Sequence, residues 1–105
     1  MVNILNEKLG GLSQLNRTIH EPARLAILSI LFVTDGADFL FLGKQAKLTK
    51  GNLSAHLGKL EDADLVEIEK SYVGKIPRTI CRITDTGRIA FQAYLDQLKE
   101  TIGSL

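Results

Sequence analysis

Apolar residues recur at spacings of three and four along much of the chain, which is the pattern of helices that bury one face. This pattern predicts helices over residues 23–34, 40–47, 50–63 and 85–101, and a further helical segment, interrupted by two glycines, over residues 1–19. In residues 23–34 the apolar side chains surround the helix axis. We therefore expect that helix to be the central, buried one.

The predicted helices carry recognisable end signals. Pro22 follows Glu21 and fits a first helical turn, where its missing N–H is not needed. Thr49 and Thr84 each precede a predicted helix and are candidate N-caps, because a threonine hydroxyl accepts hydrogen bonds from first-turn amides. A turn at Asp35 ends the central helix.

Two later segments alternate between apolar and polar residues, which predicts half-buried strands. They span residues 65–72 and 78–83, and Gly74 and Pro77 supply a turn between them. Strands this close in sequence form a hairpin. A brief extended piece at residues 38–39 comes earlier, between the first two helices of this region.

A single domain with extensions at both ends fits 105 residues, which are too few for two ordinary hydrophobic cores. Apolar residues make up 45% of the chain and charged residues 24%, which is typical of globular proteins and argues against disorder. We divide the chain into a helical extension at 1–19, a central domain at 20–83 and a C-terminal helix at 84–105.

The helix predicted after Thr49 has two different faces. Its leucines recur at spacings of four and three, as Leu53, Leu57 and Leu60. As far as Leu60, small, polar or basic residues and no acid lie off this stripe: Lys50, Gly51, Asn52, Ser54, Ala55, His56 and Lys59. A helix that only covers a core more often pairs glutamate with lysine there. The pattern is typical of a helix that enters a DNA groove.

Charge is segregated along the chain, although the formal net charge is only +1. Residues 43–60 contain four lysines and no acid, and residues 70–82 contain four cations and no acid. Between them, residues 61–69 carry five acids and no base. Such segregation can create a positive face on a nearly neutral protein.

These segments together resemble the winged helix-turn-helix transcriptional regulators of bacteria and archaea, in the broad MarR/ArsR-like group. The resemblance covers about residues 20–100. It is carried by the helix start at 22–28, the recognition helix at 48–61, the strand start at 65–68, and the segments 78–79 and 83–88 around the returning strand. The chain looks most like the small stand-alone winged-helix domains whose recognition helix reads Gly-Asn-Leu-Ser-x-His-Leu, as residues 51–57 do here.

The resemblance implies a mostly helical α+β fold, with a three-helix core, a β-hairpin wing, and N- and C-terminal dimerisation helices. It implies a homodimer that binds double-stranded operator DNA, with the recognition helix in the major groove and the wing on the backbone or in the minor groove. The residues expected to contact DNA are Thr49, Lys50, Gly51, Asn52, Ser54, Ala55, His56 and Lys59 on the helix, and Lys75, Arg78 and Thr79 on the wing.

The chemistry of these residue types suits DNA. Asn52 and His56 can address base edges, and Ser54 either bases or phosphates. Gly51 and Ala55 let the helix approach closely, and the lysines contact phosphates.

Two of these residues have alternative roles. His56 can instead hydrogen-bond a neighbouring helix. Arg78 can instead form an ion pair with Glu67 or Glu69 across the hairpin.

A narrow apolar seam runs along the C-terminal helix at Phe91, Leu95, Leu98, Ile102 and Leu105. Apolar seams at both ends exceed what one small core needs, so we expect them to pair two copies of the chain. The alternative is that both belong to the core of one copy.

Other chemistry is sparse. Cys81, His20 and His56 are isolated, so we expect no metal and no cofactor, and Cys81 is expected to be an inert thiol in a strand. There is no nucleophile or phosphate-loop signature, so we expect no enzymatic activity. The sequence shows no secretory signal and no apolar run of the roughly 20 residues that a membrane helix needs, so we expect a cytoplasmic protein without membrane contact.

The sequence therefore predicts a sequence-specific DNA-binding transcriptional regulator, expected to be a repressor that binds an inverted repeat as a homodimer. The alternative is a winged-helix protein–protein interaction module without DNA binding, which would have no reason to keep both the helix face and the wing free of acids. The operator, the regulated genes and an unidentified small-molecule effector are left open.

Overall fold

The computed structural model describes residues 11–103 of the chain. A 3₁₀ turn at Gly11–Gln14 precedes four helices: α1 (Pro22–Phe32), α2 (Phe39–Ala46), α3 (Lys50–Asp62) and α4 (Asp85–Gly103). Strand β1 (Ala37–Asp38) lies between α1 and α2, and strands β2 (Val66–Val73) and β3 (Ile76–Ile83) follow α3. The order predicted for these elements is confirmed, and the fold is a mostly helical α+β arrangement.

Side-chain caps begin the helices where the sequence predicts them. Glu21 Oε2 accepts a hydrogen bond of 2.8 Å from the backbone N–H of Arg24. Thr49 Oγ1 accepts one of 3.2 Å from the third residue of α3, and Thr84 Oγ1 accepts one of 2.8 Å from the N–H of Gly87. Each cap satisfies a backbone donor that has no partner inside its helix, which contributes about 1 kcal/mol.

The hydrophobic core lies between α1, α3 and one face of the sheet. Its fully buried members from the two helices are Ile27, Leu28, Leu31, Leu53, Leu57 and Leu60. Cys81 and Val66 close the core from the sheet side. The prediction that α1 is apolar all round and buried holds only for one face, because Ser29 is exposed and Val33, at the end of the helix, is 80% exposed.

The sheet is antiparallel with the strand order β1-β3-β2. Gly74 begins the two-residue turn between β2 and β3 with a φ of 64°, a left-handed conformation that glycine adopts without steric cost. The prediction that Pro77 lies in the turn is wrong, since it is in β3 opposite Tyr72. A proline fits there because β1 pairs only with residues 80–81, so that at Pro77 one side of β3 is an edge.

Helix α4 packs against the end of α1. Arg88 Nη1 donates a hydrogen bond of 2.9 Å to the Phe32 carbonyl, and the Phe32 and Phe91 rings lie 5.3 Å apart. Tyr94 is buried, and its hydroxyl shares a hydrogen bond of 2.7 Å with His20. The first part of the predicted seam therefore belongs to the core of one chain.

The N-terminal extension differs from the predicted helix where the structure describes it. After the 3₁₀ turn, Asn16 Oδ1 accepts hydrogen bonds of 3.0 and 3.2 Å from the N–H groups of Thr18 and Ile19. These bonds to the asparagine side chain replace the backbone hydrogen bonds of a helix. Asparagine commonly competes with helix formation in this way. Leu15 and Ile19 are nevertheless buried in the core. The remainder of the predicted helix, in residues 1–10, lies outside the described residues.

Candidate nucleic-acid interface

The buried leucines set the rotation of α3, so that its other residues form an outward surface. Leu53, Leu57 and Leu60 are at most 1% exposed. Seven of the residues predicted to contact DNA are exposed on or just before this helix, namely Thr49, Lys50, Gly51, Asn52, Ser54, Ala55 and Lys59. We call these seven residues the α3 surface. These seven residues include two lysines and no acid, while the two acids of α3, Glu61 and Asp62, are exposed in its last turn.

The centre of the α3 surface has no bulky side chain. Gly51 and Ala55 lie about one turn apart, and a methyl group built on Gly51 would have no atom within 4 Å. A methyl group on Gly58, a further turn along the helix, would also have none within 4 Å. The helix backbone can therefore approach another surface closely, as a helix does in the roughly 12 Å wide major groove of B-DNA.

His56 does not share the exposure of the α3 surface. Its Nδ1 lies 3.2 Å from Arg24 Nη1 and 3.6 Å from Glu21 Oε2, both at the start of α1. This is the alternative that the sequence left open, a contact with the neighbouring helix. A contact between His56 and a base stays a prediction, and it requires the ring to leave these two partners.

The carboxylate of Glu21 holds this cluster together. Partial burial raises the pKa of Glu21, but hydrogen bonds from the Arg24 and Ala23 amides and the charges of His56 and Arg24 outweigh that effect and lower the pKa below its usual value. Glu21 is therefore ionised at neutral pH, when it caps α1 and attracts the side chains of Arg24 and His56.

The hairpin of β2 and β3 places polar residues beside α3. Its register pairs Lys70 with Thr79, on the face that carries the half-buried Ile68 and the buried Cys81. Lys70 and Thr79 line a cleft of about 360 Å³ between the hairpin and α3, together with Ser54. The predicted contact residue Thr79 thus lies beside the α3 surface.

Lys70 is a candidate contact that the sequence analysis did not select. It is exposed and continues the alternation of Val66 and Ile68 beyond the core. Because residues of one strand that are two apart face the same side, this alternation could have assigned Lys70 to the side of α3.

Arg78 has a different partner from those expected. Its Nε lies 3.6 Å from Asp38 Oδ2, whereas Glu69 binds Arg82 Nη1 at 2.7 Å. The predicted alternative of an ion pair between Arg78 and Glu67 or Glu69 is therefore wrong. The register explains the difference, because Arg78 stands opposite Ser71. Lys75 is exposed at the hairpin turn, as predicted.

Comparison with known families decides what this arrangement is. The profile of the family described as "Winged helix DNA-binding domain" matches residues 23–102. The chain belongs to this family. A relative in Methanocaldococcus jannaschii, an uncharacterised protein, is 39% identical over 82 residues, which cover 78% of this chain and 89% of that protein.

Solved structures agree with the family assignment. A transcriptional regulator homologue from Pyrococcus horikoshii OT3 is 33% identical and has a TM-score of 0.85 over 93% of this chain and 96% of its own. A MarR family regulator from Silicibacter pomeroyi shares the fold, with a TM-score of 0.63 at 22% identity over 93% of this chain and 68% of its own. This winged helix protein is therefore a DNA-binding regulator and not an enzyme, as the sequence predicts.

In this winged helix protein, α2 and α3 form the helix-turn-helix and the β2–β3 hairpin is the wing. Lys47, in the turn, has a φ of 57° and ends α2 by donating its N–H to the Gly43 and Lys44 carbonyls. Thr49 then caps α3. The end of α2 and the start of α3 are thus both fixed by hydrogen bonds, and the turn between them sets the angle between the two helices.

Asp38 connects the helix-turn-helix to the wing. Its Oδ1 accepts hydrogen bonds of 2.9 and 3.4 Å from the N–H groups of Leu40 and Phe41, which caps α2. Its Oδ2 attracts Arg78 of the wing. An anionic group therefore already stands beside the cation that the sequence assigned to DNA.

Replacing Asp38 by asparagine is expected to tighten DNA binding about two- to fivefold. Asparagine caps a helix about as well as aspartate, so α2 stays folded, but it carries no charge to compete with phosphate for Arg78. A surface ion pair is worth about 0.2–1 kcal/mol, which corresponds to this change in affinity. The measurement is fluorescence anisotropy of a labelled duplex.

The matched control is Asp96→Asn, which removes the same charge from the exposed side of α4. If both variants bind DNA more tightly by the same factor, the change in net charge, and not the release of Arg78, explains the tighter binding. Weaker binding by Asp38→Asn would show that the Asp38 contact helps Arg78 reach DNA.

Cys81 fits the expected inert thiol. It is fully buried, and burial, together with the charges of Asp38 and Glu61, raises the pKa of its thiol to about 11. Within residues 11–103 no group of three or more His, Cys, Asp or Glu side chains is placed to hold a metal ion. No helix in that part of the chain is both long and apolar enough to cross a membrane.

Proposed function

We propose that this winged helix protein is a transcriptional repressor that binds an inverted-repeat operator as a homodimer. The proposal rests mainly on the α3 surface, which is exposed, free of acids and without a bulky side chain at its centre. In the complex, α3 lies in the major groove and the wing lies on the backbone or in the minor groove.

Specific roles follow from residue chemistry and exposure. Asn52 reads a base edge, because its amide can both donate and accept there, and Ser54 contacts a base or a phosphate. Lys50, in the first turn of α3, and Lys75, at the tip of the wing, contact phosphates. Arg78 joins them once it leaves Asp38.

A homodimer is supported by the C-terminal part of α4. Leu95 and Leu98 are only half-buried, and Ile102 is 52% exposed. Leu98 and Ile102 line an apolar groove of about 410 Å³ near the end of the helix. A second copy packed there by two-fold symmetry would bury this surface. Two recognition helices about 34 Å apart would then read two half-sites one DNA turn apart.

A small-molecule effector is a further part of the proposal, without an assigned chemical identity. The protein NadR, which is 18% identical and shares the fold with a TM-score of 0.67, is solved in complex with 4-hydroxyphenylacetate. That complex shows that a protein of this fold can bind such a compound.

The test is selection of bound sequences from a random duplex pool, followed by titration of the selected duplex between about 50 and 200 mM salt. We expect an inverted repeat with half-sites about 10 base pairs apart, bound by two chains as measured by light scattering. If the dimer makes at least six phosphate contacts, the affinity is expected to fall about 10³-fold over this range.

No binding at the lowest salt would overturn the proposal and favour the interaction-module alternative. Selection of single half-sites, with one chain bound, would retain a DNA-binding regulator but reject the homodimer. A weak dependence on salt would show that few phosphates are contacted.

A further inference from the structure

A second cleft lies beside α3, on the side away from the wing. It has a volume of about 430 Å³ and lies between α3 and the segment that leads into α1. Its lining residues are Arg17, Thr18, Arg24, Lys59, Asp62 and Ala63. Three of these carry a positive charge and one a negative charge, so the cleft is net cationic.

The two clefts flank the α3 surface. Ser54 lines the cleft on the wing side, and Lys59 lines the cationic cleft. At about 100° per residue, these two positions are about 140° apart around the helix axis, and Ala55 lies between them. A surface that contacts the centre of α3 therefore meets a cleft on each side.

Arg24 forms a fixed part of the cationic cleft. Its Nε donates a hydrogen bond of 2.5 Å to the Thr18 carbonyl, and its Nη1 lies 3.2 Å from His56 Nδ1. Both ends of the guanidinium are thus held by the protein, and the side chain is half-buried. A cation that is already ordered loses little conformational entropy when it meets an anion.

Arg17 and Lys59 provide the other two cations of the cleft. Both are exposed, and neither has a carboxylate within 4.0 Å among the described residues. They differ in this respect from Arg78 and Arg82, which have carboxylate partners. Within residues 11–103, a phosphate that meets Arg17 or Lys59 breaks no ion pair, although Asp62 also lines the cleft.

We propose that this cleft binds the phosphate backbone of the DNA strand that borders the major groove opposite the wing. The inference rests on the proposed function and adds Arg17 and Arg24 to Lys59, which was already expected to contact DNA. The wing and Lys70 contact the backbone on one border of the groove, and the cationic cleft contacts the other. The protein then contacts the DNA backbone on both borders of the major groove, and these contacts position α3 in the groove for base contacts.

The test compares the variants Arg17→Ala and Lys59→Ala with the parent protein on the selected duplex. Each removes one phosphate contact per chain and two per dimer, so the salt slope, −∂log K/∂log[salt], is expected to fall by about 1.8. Thermal melts are expected to stay unchanged, because both side chains are exposed. The variant Arg17→Lys keeps the positive charge and is expected to keep most of the parental salt slope. Thr86→Glu, which lowers the net charge by one at an exposed position in the first turn of α4, is the remote control.

Phosphate ethylation interference shows which strand is involved. In the parent protein, ethylation is expected to interfere on both borders of the groove. In Arg17→Ala, the interference opposite the wing is lost and that beside the wing remains. A Lys70→Ala variant is expected to show the reverse pattern.

The outcomes separate this inference from the proposed function. If the parent protein binds no duplex, the proposed function and the inference fail together. If it binds, but Arg17→Ala and Lys59→Ala keep the parental slope and interference pattern, only the cationic cleft is rejected. An equal loss of slope in Thr86→Glu would likewise reject it, because the effect would then reflect net charge.

Discussion

Replacing Gly87 by alanine is expected to destabilise the folded protein by about 3 kcal/mol, the upper end of the usual range for overpacking a core. Gly87 is buried in the first turn of α4. A methyl group there would overlap the Leu65 carbonyl oxygen and lie 2.8 Å from Ile83 Cγ1. The same carbonyl accepts a hydrogen bond of 3.0 Å from the Thr84 N–H, so it cannot move without loosening the start of α4.

Urea denaturation followed by circular dichroism measures this change. The control is Gly58→Ala in α3, where a methyl group would meet no atom within 4 Å. Because alanine favours a helix over glycine, Gly58→Ala is expected to stabilise the protein by about 0.5–1 kcal/mol. A loss below 1 kcal/mol for Gly87→Ala would contradict the close contact between α4 and the start of β2.

The double variant Lys50→Glu with Arg78→Glu is expected to weaken DNA binding more than about 100-fold at low salt, since it reverses four charges per dimer at the proposed phosphate contacts. Both residues are exposed. The fold is expected to survive, because glutamate in the first turn of α3 interacts favourably with the helix dipole. The ion pair lost at Arg78 lies at the surface, where such pairs contribute about 0–1 kcal/mol.

Anisotropy with the selected duplex and a thermal melt are measured on the same samples. Thr86→Glu adds a negative charge at an exposed position in the first turn of α4 and is expected to bind almost as the parent does. Binding of the double variant at parental affinity would place the DNA interface elsewhere on the protein. A large fall in melting temperature would instead assign Lys50 and Arg78 a structural role.

The helices and strands could be predicted because their signals act over a few residues. Thr49 and Thr84 bond to amides only three positions along the chain, and the leucines of α3 are spaced by three and four. The same reasoning assigned the α3 surface, because the position of the buried stripe determines which residues point outward. Local signals failed at Asn16, whose side chain competes with the helix, and at Pro77, where the short β1 leaves an edge in β3.

The electrostatic partners could not be predicted, because they join residues distant in sequence. His56 meets Arg24, which lies 32 positions earlier, instead of pointing outward with the α3 surface. Arg78 meets Asp38 of β1, although acids on its own hairpin were the expected partners. Arg17 comes close to Lys59 only because the segment before α1 packs beside α3.

The sequence by itself thus determined the order of helices and strands, their caps, the winged helix family and the outward face of α3, since each depends on residue spacing within an element or on the order of elements along the chain. Only the tertiary structure decided which cations are paired with acids and which, within residues 11–103, have no carboxylate within 4.0 Å. Those distances depend on how α1, α3 and the sheet pack together, and a local pattern of residues does not contain them.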